Sequence, residues 1–141
     1  MLKTKKEIYW RKLDDQAKVF ALASNNQYSS IFRLSIILKE DINSALLQEA
    51  LELAIEKYKA FKVKLRRGFF WYYFEENDKI PKVEIESEYP FKKVNTSKNN
   101  DFLFKITYFG KKINADFFHA LTDGSGAVKF LKEIIYRYLE L

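Results

Sequence analysis

Phe117-Phe118-His119-Ala120-Leu121-Thr122-Asp123-Gly124 is the point where a strand-like run gives way to a helical one, and it holds the single histidine of the chain. An imidazole is the side chain whose ordinary pKa lets it accept a proton near neutral pH. Four residues on stands a carboxylate that can fix local geometry. The glycine after it lets the backbone turn tightly into the next helix. Together these are the makings of a general-base site. On the residues alone, an ordinary strand-edge histidine is the simpler reading. Asp123 by itself reads as a helix N-terminal residue favoured by the macrodipole.

The flanking patterns predict what surrounds this junction. Upstream, residues 102–109, a turn at Gly110-Lys111-Lys112 and residues 113–118 predict a β-hairpin. Downstream, Ala127, Val128, Leu131, Ile134, Ile135 and Tyr138 share the inward face of a final helix, with Lys129, Lys132, Glu133, Tyr136, Arg137 and Glu140 opposite. Earlier in the chain, Asp14 can cap a helix over 14–24, which Ser24-Asn25-Asn26-Gln27 ends. A strand follows over 31–38, with Phe32, Leu34, Ile36 and Leu38 on one side. Asn43 opens the clearest helix, whose Leu46, Leu47, Ala50, Leu51, Ala54, Ile55 and Tyr58 recur at helical spacing. Two strands over 62–67 and 69–75 hinge at Gly68, a turn stands at Asn77-Asp78-Lys79, and a weaker strand covers 83–86. Residues 95–101 read as a polar loop. The fold class is α+β. Helical periodicity continues to Leu141, so the last helix either frays there or the chain is the first part of something longer.

Composition narrows the function classes. With 141 residues, 48% of them hydrophobic, the chain fits one compact domain. Its 13 Phe, 9 Tyr and 2 Trp are large rings for a packed core, and Phe69, Phe70, Trp71, Tyr72 and Tyr73 read chiefly as sheet and core packing. No run approaches the apolar length of a membrane span, and no signal core follows the basic start, so a cytoplasmic location is the default. Absence of cysteine excludes disulfides and thiolate metal sites, and one histidine makes a poor transition-metal site. The formal charge of +6 is spread along the chain beside acids. Its tightest cluster, Lys62, Lys64, Arg66 and Arg67, alternates with Val63 and Leu65 as a solvated sheet face would. Arg33 and Arg66 are open to phosphate contact or to solvent alone. No recognition motif accompanies the charge, so nucleic acid is the weakest partner class.

His119-Ala120-Leu121-Thr122-Asp123-Gly124 resembles the HHxxxDG signature of the chloramphenicol acetyltransferase-like superfamily, which includes condensation domains of peptide synthetases and alcohol acetyltransferases. The bacterial alcohol-acetyltransferase-like branch looks nearest, through Tyr9-Trp10-Arg11-Lys12-Leu13-Asp14, Phe61-Lys62-Val63-Lys64-Leu65-Arg66-Arg67-Gly68 and Phe70-Trp71-Tyr72-Tyr73. The resemblance implies a half-domain with a mixed, mostly antiparallel sheet packed against helices. Residues 1–141 would form a single N-terminal acyltransferase-like subdomain. The C-terminal half, with the other tunnel wall, would be absent from this chain, leaving it poorly active or inactive alone and prone to self-associate as a homo-oligomer. The implied activity is CoA-dependent O- or N-acyl transfer. His119 would be the catalytic base acting on an acceptor alcohol or amine, and acyl-CoA or a phosphopantetheine thioester the cosubstrate, with no metal and no permanently bound cofactor. Phe118 replaces the first signature histidine. Asp123 and Gly124 would support the site, and Lys62 falls where the family places a basic partner for the signature aspartate, so a Lys62–Asp123 ion pair is expected. The alternative is a non-catalytic binding module that retains the fold.

Overall fold

The computed structural model describes residues 10–12, 31–70, 72–86 and 100–141, with backbone alone described over 10–12. The helix expected over 14–24, its terminating turn, Trp71 and most of the 95–101 loop lie outside the described residues. Two sheets and two long helices make up the rest. Strands β1 (Trp10–Lys12), β3 (Val63–Arg67) and β4 (Tyr72–Glu76) form an antiparallel sheet in the order β1-β4-β3. Strands β2 (Ile31–Ile37), β5 (Glu84–Ile85), β6 (Phe104–Phe109) and β7 (Lys112–Phe118) form the other, in the order β2-β7-β6-β5. Among the described strands only the β5–β6 pairing is parallel. This is the expected α+β architecture.

Local chemistry sets the element ends. Helix α1 (Ser44–Lys57) begins where the Asn43 side chain accepts a hydrogen bond from the Leu46 N–H, satisfying a donor that the helix leaves unpaired. A 3-10 turn (Lys59–Phe61) then leads into β3. The β6–β7 loop has two residues, Gly110 and Lys111, and Gly110 takes a φ of +60°. A positive φ at the first central position alone is the pattern of a type II′ turn, whose twist matches the flanking strands. At Asn77 the side chain accepts from the Lys79 N–H and donates to the Asn100 carbonyl, fixing the expected turn from within.

Strand alternation divides the four-stranded sheet into two faces. Ile113, Ala115 and Phe117 of β7 lie beside Phe104 and Ile106 of β6, facing the helices. There, Phe130 of helix α2 (Gly124–Glu140) stacks on Phe61, with centroids 4.3 Å apart, and meets Phe104 edge-on at 5.2 Å. The rings do fill the core, as their number implied. Helix α2 is rotated relative to its predicted face: Phe130 is fully buried, Val128 is exposed, and Glu133, expected outside, is buried. Glu133 tolerates burial because Lys57 and Arg137 both reach it, at 3.4 and 2.7 Å. Phe69 and Phe70 depart from expectation too. They pack into neither sheet nor core, being 99% and 87% exposed at the tip of the β3–β4 hairpin.

Candidate functional site

His119 sits immediately after β7, and its neighbours decide where it points. Phe118 and Leu121 are both buried, and the Leu121 N–H closes a turn onto the Phe118 carbonyl at 2.9 Å. With its two flanking apolar anchors tucked inward, the turn carries His119 to an exposed position. Its ring lies 4.6 Å, centroid to centroid, from that of Phe32 on the adjacent strand β2. The imidazole therefore stands on an aromatic shelf at the edge of the sheet, not inside the hydrophobic interior.

Asp123 is the N-cap of α2. Its Oδ1 accepts the Gly126 N–H at 2.8 Å, and its carbonyl accepts from Ala127 at 3.1 Å. The hydroxyl of Thr122 donates to that same carbonyl. The expected ion pair with Lys62 is not made. Lys62 reaches Glu56 instead, at 2.9 Å, which draws the Glu56 carboxyl below its ordinary pKa chiefly through that hydrogen bond. The physical reason is proximity along the chain: the 3-10 turn after α1 brings Lys62 back against Glu56 in the last turn of that helix, six residues away.

Gly124 also differs from expectation. It has no positive φ, and no described atom lies within 4 Å of where a Cβ would stand, so the turn does not need glycine there. Gly126 is the constrained position: a Cβ would fall 2.3 Å from Thr122 Oγ1. Open space thus lies in front of Gly124, and tight packing begins one step inside the helix.

A second constellation was not read from the sequence. Arg33 of β2 faces Asp116 of β7 in register, and its fork binds that carboxylate at 2.6 and 2.9 Å while Nη1 reaches Glu86 at 2.6 Å. All three side chains are largely buried. Bidentate geometry and the Asp116 hydrogen bond first of all raise the guanidinium pKa further, so this charge is permanent. Asn114 extends the layer, donating to Glu86 and accepting from Ser35. Arg33 is thereby spent on structure and not on a phosphate. The alternation of Asn114 and Asp116 with Ile113, Ala115 and Phe117 was the available signal; their partners, 79 and 83 residues away, were not. Among the described residues no three potential metal ligands converge.

No protein-family model and no curated protein matches the chain. Solved structures do. The starter condensation domain of rhizomide synthetase RzmA, in a mutant form, aligns over 92% of this chain and 37% of its own, with a TM-score of 0.72 and 13% identity. The fold is condensation-domain-like. The condensation domain of the monacolin K polyketide synthase MokA aligns over 94% of this chain and 35% of its own (TM-score 0.69, 12% identity). Polyketide synthase associated protein 5 from Mycobacterium tuberculosis aligns over 91% and 32% (TM-score 0.67, 19% identity). This condensation-like chain therefore spans about a third of the length of the structures it matches. A mutant of the RzmA starter domain has been solved in complex with C8-CoA.

Proposed function

We propose that this chain is the N-terminal part of an acyltransferase, in which His119 is the general base. The observation that carries the reading is the outward placement of His119 on its Phe32 shelf, just ahead of a capped helix, in a condensation-like fold. An acceptor hydroxyl or amine entering beside His119 gives its proton to the imidazole as its oxygen or nitrogen attacks the thioester carbonyl. The tetrahedral oxyanion then collapses, the carbon–sulfur bond breaks, and the departing thiolate takes the proton back. Oxyanion donors would come from the remainder of the tunnel, supplied by a second half or a partner chain. Acyl-CoA is the favoured donor, because a neighbour with this fold has been solved with C8-CoA. An alcohol acceptor follows from the sequence resemblance, and an amine remains within the same chemistry.

Asp123 supports the site by capping α2 and so holding the loop that carries His119. A second reading, a non-catalytic binding module, is favoured by two observations: Phe118 stands where the first signature histidine would, and Lys62 is engaged by Glu56. His119→Ala in the complete protein separates the two. Under the catalytic reading, thiol release from acyl-CoA in the presence of alcohols falls about 100-fold or more while the circular dichroism spectrum is unchanged. Unaltered turnover in that variant would refute the role of His119.

A further inference from the structure

The β3–β4 hairpin carries a surface that the acyl-transfer reading does not use. From Arg66 to Phe74 its sequence is Arg66-Arg67-Gly68-Phe69-Phe70-Trp71-Tyr72-Tyr73-Phe74, with two cations, six aromatic residues and no acid. Folding sorts these rings. Tyr72 and Phe74 are turned into the core, whereas Phe69 and Phe70 stand exposed at the tip, their centroids 6.1 Å apart. Adjacent exposed rings of this size mark an interaction surface more often than chance.

Charge along the hairpin is graded. The acids Glu75 and Glu76 lie at its far end, opposite Lys64 and Val63, where Glu75 also meets Arg66 at 3.4 Å. Among the described residues of the hairpin, the positions nearer the tip carry cations: Arg67, whose guanidinium lies 6.0 Å from the Tyr72 ring centroid, and Arg66 opposite Tyr73. We propose that this tip docks on an anionic lipid bilayer, with Phe69 and Phe70 entering the boundary between headgroups and acyl chains and Arg66 and Arg67 meeting lipid phosphates. The arrangement fits. Arg66 and Arg67 close β3 and the rings stand in the bend just beyond it, so the cations sit directly behind the apolar tip, as headgroup contacts sit behind an apolar face that enters that boundary by roughly 5–10 Å. The rings are almost fully exposed, a presentation suited to a fluid surface, and the positive tip complements negative headgroups.

The assignment is independent of acyl transfer, because its test reads binding alone. The purified protein is sedimented with phosphatidylcholine vesicles and with vesicles rich in phosphatidylglycerol. Binding is expected to the anionic vesicles and to fall steeply with added salt. Arg66→Gln with Arg67→Gln should weaken it about 30-fold. Phe69→Ser with Phe70→Ser should weaken it at least about tenfold with the circular dichroism spectrum intact, whereas Phe69→Leu with Phe70→Leu, which keeps apolar bulk, should stay within about threefold of the parent. Failure of the parent protein to sediment with anionic vesicles would overturn the proposal. So would equal binding by the double serine variant. Loss in the double leucine variant as deep as in the serine variant would also overturn it, in favour of a shaped pocket on a protein partner.

Discussion

His119 faces outward because Phe118 and Leu121 on either side are held inward, so its placement depends on two buried apolar side chains as much as on itself. Helix capping by Asp123 fixes the other end of the same loop. Asp123→Ala should cost about 1 kcal/mol in denaturant unfolding, and Asp123→Asn, which keeps the capping oxygen, should restore most of it. If capping is how Asp123 serves the site, Asn should restore activity as well. The two glycines should part company. Gly124→Ala meets open space and should be neutral or stabilising by up to about 1 kcal/mol, while Gly126→Ala pushes on Thr122 and should lose stability relative to it, by the same measurement. The motif's residue types were legible in the sequence. Which glycine the backbone needs was not, because that depends on a hydroxyl one turn earlier.

At the scale of elements, β2 is fastened to β7 by more than its ladder. Arg33 holds two largely buried carboxylates, and Arg33→Ala would leave both without their cation. The expected loss is about 3–5 kcal/mol, visible as a lower denaturant midpoint. The α1–α2 seam contains the other buried charge. Burial alone would push the Glu133 carboxyl up, but hydrogen bonds from Arg137 and Lys57 outweigh it and hold the pKa below its ordinary 4.5. A carboxylate depressed in the folded state stabilises it above pH 4.5, and that contribution fades as pH falls through the lower folded value. Thermal melts of Glu133→Gln should therefore depend less on pH than the parent in that acid range. Periodicity predicted α1 closely, since its apolar stripe is regular. It placed Ala127, Leu131, Ile134 and Ile135 of α2 inward correctly but left Glu133 outside, because Glu133 looks polar in sequence and its two cationic neighbours make it a seam residue.

Across the whole molecule, the described surface keeps large apolar side chains in water. Ile37 and Leu139 are exposed and line an open cleft of about 480 Å³ with Leu38, Lys39, Glu40, Asp41 and Tyr138. Ile85 and Phe109 are exposed as well. We propose that this surface drives self-association of the 141-residue chain, in keeping with its matching only about a third of its structural neighbours. Sedimentation velocity at rising concentration should show it, and Ile37→Ser with Leu139→Ser should diminish it. A single monomeric species throughout would argue against the idea. The hairpin tip adds a separate prediction, binding to anionic vesicles.

Hydrophobic periodicity and turn chemistry are local properties, so the sequence alone determined the α+β class, the hairpin at Gly110, the helix capped by Asn43 and the strand-to-helix junction bearing His119. Long-range pairing decided the rest. That Arg33 neutralises Asp116 and Glu86, and that Phe69 and Phe70 remain in water while Phe74 is buried, follow from which strands and helices come to lie side by side; Lys62 turns to Glu56, six residues away, through the local path of α1 and the 3-10 turn. Charge and aromaticity are written residue by residue, but partners are assigned only when the chain closes on itself.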